Sequence, residues 1–165
     1  MGTGGLVLRR LRARLVDKPT GFVWIDEGIL AGSGYPASKG QLIWLREQGI
    51  NSILTLTERP LSIQWLEGLA LEVRHIPMRD HRAPDTASLE EAATFVQDSI
   101  KAGHATLVHC LAGEGRTGSV LAAYLIKDRG VTAEEAMRTL RDIKPLFVEK
   151  EQEKAVVEYG LVTRP

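Results

Sequence analysis

The sequence contains one cysteine, Cys110. An internal disulfide framework is therefore excluded, and so is a zinc site built on several thiolates. A lone cysteine is either a small core residue or a reactive thiol, and its neighbours decide between the two. No apolar run approaches the roughly 18 residues that a membrane-spanning helix needs. The N-terminus lacks the apolar stretch and small-residue cleavage site of a secretory signal. Leu6 stands where N-myristoylation requires Ser or Thr. Net charge is absent too, with 21 Lys and Arg against 21 Asp and Glu, so no overall field draws nucleic acid. Repeats at solenoid or propeller periods are missing. The expected location is the cytoplasm, where a reduced thiol persists.

What is present is an ordinary globular composition: 165 residues, 44% hydrophobic and 25% charged, enough for one domain with a sizeable core. Charge is uneven only at the start, where Arg9, Arg10, Arg12, Arg14 and Lys18 meet Asp17 alone. Leu8, Leu11 and Leu15 recur among them at helical spacing. Residues 1–20 therefore read as a basic, helical segment, either packed on the domain or laid on an anionic membrane. A transit peptide and a disordered arm are the remaining readings.

Further along, strands alternate with helices. Short strands are expected over 22–26 and 29–31 around a turn at Glu27-Gly28, then over 51–57, 71–77 and 105–109. Ser38 with Gln41, Ser88 with Glu91 and Thr132 with Glu135 each have the spacing of a capping box at a helix start. Gly49, Gly103 and Gly130 are the stops. A short helix follows Pro60, and Pro145 closes the helix before a last one over 149–159. Residues 78–86 read as a polar loop. Trp44 and Trp65 fall at helical positions and read as packing residues. The alternation argues for an α/β domain with a central, mostly parallel, twisted sheet flanked by helices.

The chemistry lies in residues 109–118, His-Cys-Leu-Ala-Gly-Glu-Gly-Arg-Thr-Gly. They join a buried-type strand to an apolar helix, the place where α/β proteins bind phosphate. Gly113, Gly115 and Gly118 allow tight turns with inward amides. Together with the positive end of the helix, these amides form a cradle for a dianion. The same field favours the Cys110 thiolate over the thiol and places it for in-line attack on phosphorus. Arg116 offers a planar fork matching two phosphate oxygens. The phosphate-binding loop thus comprises His109, Leu111, Ala112, Gly113, Glu114, Gly115 and Arg116 around the nucleophile. His109 reads either as an organiser of the loop through hydrogen bonds or as a satisfied core histidine. No metal or other cofactor is called for. The leaving oxygen needs a proton, so a general acid must come from another loop.

His109-Cys110, five intervening residues, then Arg116-Thr117-Gly118 resembles the signature of the cysteine-based protein tyrosine phosphatases. The wider chain, from about Phe22 to Gly160, is similar to their compact dual-specificity members, so residues 21–165 are expected to form the catalytic domain. Other segments that carry the resemblance are Leu30-Ala31-Gly32, residues 54–59, Ile76-Pro77 and residues 151–156. The resemblance implies that Thr117 helps the thiolate leave when the intermediate hydrolyses. It implies that Asp80, thirty residues before Cys110 and followed by Ala83-Pro84, is the general acid. Asp85 is the competitor, more simply read as a helix-start charge. Relatives read Ile-Pro-Asp where this chain has Ile76-Pro77-Met78-Arg79-Asp80, two residues longer. Glu149 and Gln152 fall where relatives carry a pair of glutamines that position water. A plain surface helix is the other reading of these two.

The expected activity is hydrolysis of phosphotyrosine, and of phosphoserine or phosphothreonine, in a protein or peptide through a phosphocysteine intermediate, without a metal. Candidate substrate contacts are Arg59, Arg79, His81 and Arg82. The loop interior carries no lysine and one negative charge, Glu114, which argues against a polyphosphorylated inositol ring. The alternatives are a phospholipid or phosphoinositide phosphatase recruited by the basic segment, and a non-catalytic phosphate-binding module. An RNA 5′-phosphatase is a minor option, since no basic groove is evident. Nucleic acid is not expected as a partner, membrane contact belongs to the lipid alternative only, and the expected assembly is a monomer.

Overall fold

The computed structural model describes residues 17–163; the expected helix within residues 1–20 lies almost wholly outside them. Five strands form one sheet: β1 (Val23–Asp26), β2 (Leu30–Ser33), β3 (Ile50–Thr55), β4 (Glu72–His75) and β5 (Ala105–His109). Their order is β1-β2-β5-β3-β4. Only the β1–β2 hairpin is antiparallel; β2–β5, β5–β3 and β3–β4 are parallel. The helices are α1 (Lys39–Glu47), α2 (Ile63–Leu66), α3 (Thr86–Lys101), α4 (Gly115–Arg129), α5 (Ala133–Ile143) and α6 (Lys150–Thr163).

Alternate residues of a strand face opposite sides of a sheet, and here each side has its own core. Leu30, Leu54 and Val108 face α3 to α6, packing with Leu89, Val96, Leu121, Leu140 and Tyr159. Ala31, Ile53 and Leu107 face α1 and α2, packing with Leu42, Leu45 and Leu61. Trp44 and Trp65 join this second core, with Trp44 edge-on to Phe22 at 5.0 Å between ring centroids. The helix that follows the central strand is the most enclosed, buried continuously from Gly115 to Ile126. That burial explains why its sequence shows almost no polar face.

The caps show which local signals dominate. Thr132 and Glu135 form the reciprocal capping box. Ser38 accepts from the Gln41 amide at 3.2 Å, but the Gln41 side chain accepts from Ala37 instead of returning to Ser38. The Ser88–Glu91 box does not form. Asp85 caps α3 three residues earlier, its Oδ1 accepting from the Ser88 amide at 2.7 Å. A carboxylate at a helix N-terminus gains from both the hydrogen bond and the helix dipole, which leaves Glu91 free to pair with Arg74 at 2.7 Å.

The register aligns the carboxyl ends of the parallel strands. Ser33 and Thr55 both lie opposite His109, and His75 lies opposite Thr55. The segments that leave these strands therefore emerge at one edge of the sheet, the usual ligand edge of an open α/β fold.

Candidate active site

Cys110 follows β5 and is 2% exposed. Its Sγ accepts a hydrogen bond from the Gly113 amide at 3.2 Å. Gly113 is irreplaceable on two counts. Its φ is +75°, and a Cβ there would lie 2.3 Å from the Ser33 carbonyl carbon. The Gly113 carbonyl accepts from Lys144 Nζ at 2.8 Å, and the Leu111 carbonyl accepts from the Tyr35 amide at 3.0 Å. Helix α4 then starts at Gly115, with no side chain capping its first amides. Those amides have no acceptor within the helix, so the start of α4 is open to an anion.

Arg116 is almost wholly enclosed, its side chain 1% exposed. Nη1 donates to Glu58 Oε2 and to the Met78 carbonyl, both at 3.0 Å, and Nη2 lies 3.3 Å from Asp80 Oδ1. Asp80 is therefore brought to the catalytic loop. Glu58 ties the same pieces together a second time, since its Oε1 accepts from the Asp80 amide at 2.9 Å. That contact, then the carboxylate's hydrogen bond to its own backbone amide and, after these, the contacts to Arg116 hold the Glu58 carboxyl below its ordinary range. Asp85 is not brought in. It is committed to its capping bond with Ser88, which holds its carboxyl low.

Four buried side-chain polar atoms among the described residues have no partner: Asn51 Oδ1, Arg116 Nε, Thr117 Oγ1 and Gln152 Nε2. Three of the four belong to the loop or to a residue pressed against it. Gln152 is fully buried, and a Cβ on Gly115 would lie 2.6 Å from its Oε1 and 2.9 Å from the Glu149 carboxyl carbon. Gln152 Oε1 accepts from the Glu149 amide at 3.0 Å. Glu149 Oε2 meets His81 Nδ1 at 3.3 Å, and His81 Nε2 stands 3.6 Å from Asp80 Oδ2. His81 thus bridges the Asp80 loop to the start of α6, in a left-handed conformation with φ +52°.

His109 is fully buried between Thr55 Oγ1, 2.9 Å from Nε2, and the Cys110 carbonyl, 3.2 Å from Nδ1. Burial, the largest influence, pushes its pKa down to about 4, so the ring is neutral near pH 7. A carbonyl only accepts, so Nδ1 carries the proton and Nε2 accepts from the Thr55 hydroxyl. Both nitrogens are occupied, and the ring orders the loop.

The remaining candidates lie further out. Arg59 lines a recess of about 320 Å³ with Tyr35, Thr57, Glu58 and Leu111. Arg79 and Arg82 line a smaller cleft beside the Asp80 loop. Ala112 and Glu114 contribute backbone: the Glu114 carbonyl accepts from the Gly118 amide at 2.8 Å. Three contacts of the loop are not singled out by the sequence. Glu58 lies in the 54–59 segment that carries the resemblance, but its contact with Arg116 comes from the strand order. Tyr35 and Lys144 reach the loop after β2 and at the α5–α6 connection, where no linear motif marks them.

Comparison with known proteins identifies the family. The family model for the DSP-PTPase phosphatase of polymorphic toxin systems matches residues 29–130. A phosphatidylglycerophosphate phosphatase of Arabidopsis thaliana, PTPMT2, is 30% identical over 100% of this chain and 77% of its own length. Dual specificity protein phosphatase 12 of Rattus norvegicus is 33% identical over 62% of this chain, which spans only 30% of that protein. The crystal structure of Tk-PTP in its active form superposes with a TM-score of 0.76 at 30% identity, covering 85% of this chain and 96% of that one. With a buried cysteine, an amide-lined loop and an enclosed arginine in that frame, the chain belongs to the dual-specificity-like phosphatases of the cysteine-based protein tyrosine phosphatase superfamily.

Proposed function

We propose that this phosphatase hydrolyses phosphotyrosine in proteins or peptides, and phosphoserine or phosphothreonine more slowly. The observation that carries the catalytic reading is the set of unpartnered buried atoms around the loop. Leaving a buried polar group unmade costs about 1–3 kcal/mol. Arg116 Nε becomes satisfied when a phosphate sits over Cys110, and Thr117 Oγ1 when it donates to the departing sulfur.

In the first step the Cys110 thiolate attacks phosphorus. The S–P bond forms as the ester O–P bond breaks, and protonated Asp80 gives its proton to the leaving oxygen. Arg116 and the loop amides hold the equatorial oxygens as charge spreads over them. In the second step a water held by Glu149 and Gln152 gives a proton to Asp80 and attacks phosphorus. The P–S bond breaks, and inorganic phosphate and thiolate are released. Thr117 Oγ1 donates to the departing sulfur. Every proton and electron pair is handled by residues of the chain, and no step calls for a metal.

The choice of an aryl phosphate rests on the recess lined by Tyr35, Thr57, Glu58, Arg59 and Leu111. Its walls are largely apolar. It opens beside the residue that follows the nucleophile, so a tyrosine ring has a surface to lie on that a serine side chain leaves empty. Arg59, Arg79, His81 and Arg82 favour acidic peptide flanks. The working location is the cytoplasm, where the lone thiol stays reduced.

A second reading has specific support. A relative that matches the entire chain, PTPMT2, is a phosphatidylglycerophosphate phosphatase, and the basic residues Arg9 to Arg14 suit an anionic lipid surface. The deciding experiment compares kcat/KM for a phosphotyrosine peptide with that for phosphatidylglycerophosphate in mixed micelles, in the presence of a chelator, with Cys110→Ser as the inactive control. The protein reading requires the peptide to be favoured by at least about tenfold, that is about 1.4 kcal/mol of transition-state discrimination. Preference for the lipid transfers the assignment to the second reading.

A further inference from the structure

We infer that Lys144 is a positioning residue for the nucleophile: its ammonium pins the Gly113 corner of the phosphate loop so that the Gly113 amide stays on the Cys110 sulfur, and it supplies a positive charge behind the bound phosphate. The inference rests on the thiolate reading above and extends it to a residue outside the signature.

Gly113 is gripped from three sides. Its amide donates to Cys110 Sγ at 3.2 Å, its carbonyl accepts from Lys144 Nζ at 2.8 Å, and its Cα faces the Ser33 carbonyl carbon. Without the ammonium the left-handed corner loses the only one of these contacts made by a side chain from another element. Lys144 itself is built in from several directions. It ends α5, its Nζ lies 5.3 Å from the centroid of the Phe147 ring, and a Cβ on Gly21 would lie 2.9 Å from that Nζ. Gly21 therefore leaves room for the ammonium where any other residue would crowd it.

The charge itself needs a reason. Among the described residues no carboxylate pairs with Lys144; its ammonium meets the Gly113 carbonyl and the Phe147 ring. A half-buried cation without a counter-ion is unfavourable, and an aliphatic side chain would pack on Phe147 as well. The negative charges that complement it are those of the working site, the thiolate and the phosphate dianion. The contact chain from Nζ through Gly113 to Sγ keeps the two charges within about one Debye length, roughly 10 Å. Arg116 is the loop's other cation, but Glu58 and Asp80 already offset it. Glu114, adjacent to Gly113, is the loop's own negative charge.

The test uses the lone cysteine as its own reporter. Alkylation of Cys110 by iodoacetamide is followed across pH, and inhibition by vanadate is measured on the same proteins. Lys144→Met keeps the stem over Phe147 and removes the charge. Its alkylation midpoint is expected to move to higher pH by about half a unit to one unit, and its vanadate inhibition constant to rise about three- to tenfold. Lys144→Arg should recover most of both. If Lys144→Met does not fold, Gly21→Ala displaces the ammonium in a chain that retains it, and both readouts should move the same way. Variants with wild-type midpoints and inhibition constants overturn the inference, whatever their melting temperatures, because a purely structural clip would change only the latter. A wild type that is neither alkylated at low pH nor inhibited by vanadate sinks the phosphatase reading itself.

Discussion

Glu58 offers a way to separate protonation of the leaving group from binding of the phosphate. Its two oxygens do different things: Oε2 steadies Arg116 and Oε1 holds the amide of Asp80. Glu58→Gln keeps the shape and removes the charge. A hydrogen bond to a charged group contributes about 1.5–3 kcal/mol when shielded. The Glu58 side chain is 56% exposed, so solvent screening brings the expected loss to about 1 kcal/mol, or roughly fivefold in rate. The two roles predict different outcomes. If Glu58 matters by holding Asp80 in place, kcat falls about fivefold for phenyl phosphate, whose leaving group needs the proton. For p-nitrophenyl phosphate, whose leaving group departs as the anion, the change is much smaller. Equal losses on both substrates would show that Glu58 acts through Arg116 alone, and no loss on either would remove it from the mechanism. The pH dependence has a definite sign. The folded carboxyl is held below its ordinary value of 4.5, so the contacts are fully present above that pH and are lost as pH falls through the depressed value. Wild type and variant should differ at neutral pH and converge in acid.

Three further outcomes follow from buried groups. His109 is neutral in the fold with a pKa near 4, against 6.5 when free. The unfolded chain therefore binds the extra proton, and acid costs up to about 3 kcal/mol of stability as pH falls from 6.5 towards 4. Urea titrations of wild type and His109→Asn at about pH 7 and about pH 5 should show most of that loss in wild type only; equal losses would assign it elsewhere. In Gly118→Ala the new Cβ would lie 2.4 Å from the Val148 nitrogen. Backbone cannot rotate away, so a cost of about 1–3 kcal/mol is expected. Turnover should drop at least about tenfold as Glu149 and Gln152 are displaced, and a wild-type kcat would show that the α6 start has no part in the rate. Thr117→Val removes a buried hydroxyl without a partner, so the fold should be no less stable, while loss of one hydrogen bond to sulfur slows turnover about tenfold. Stopped-flow release of p-nitrophenol should then show a burst approaching one equivalent; its absence, with kcat intact, would reduce Thr117 to a first-turn helix residue.

The parts of this site that can be read from the chain are those contained in a single segment. Residues 109–118 carry strand end, turn and helix start in one run, so the cradle and its proposed nucleophile are visible in ten letters. The helix starts are nearly as visible, and the exception is instructive. Ser88 and Glu91 have the right spacing, but Asp85 competes for the same amide and wins it. The two extra residues expected in the Asp80 segment do not keep Asp80 from Arg116, because the Met78 carbonyl and the Glu58 carboxylate anchor the segment on either side of Arg79. What the linear order hides is the set of residues that meet only through the sheet. β3 and β5 are neighbours although α2, β4 and α3 separate them in sequence, and that adjacency alone delivers Glu58 to Arg116 and Thr55 to His109. Lys144 arrives from the opposite direction, behind the loop. An unpaired cation at a helix end is an ordinary feature in a sequence; with its Nζ on the carbonyl of the residue whose amide holds the thiolate, its charge becomes part of the chemistry.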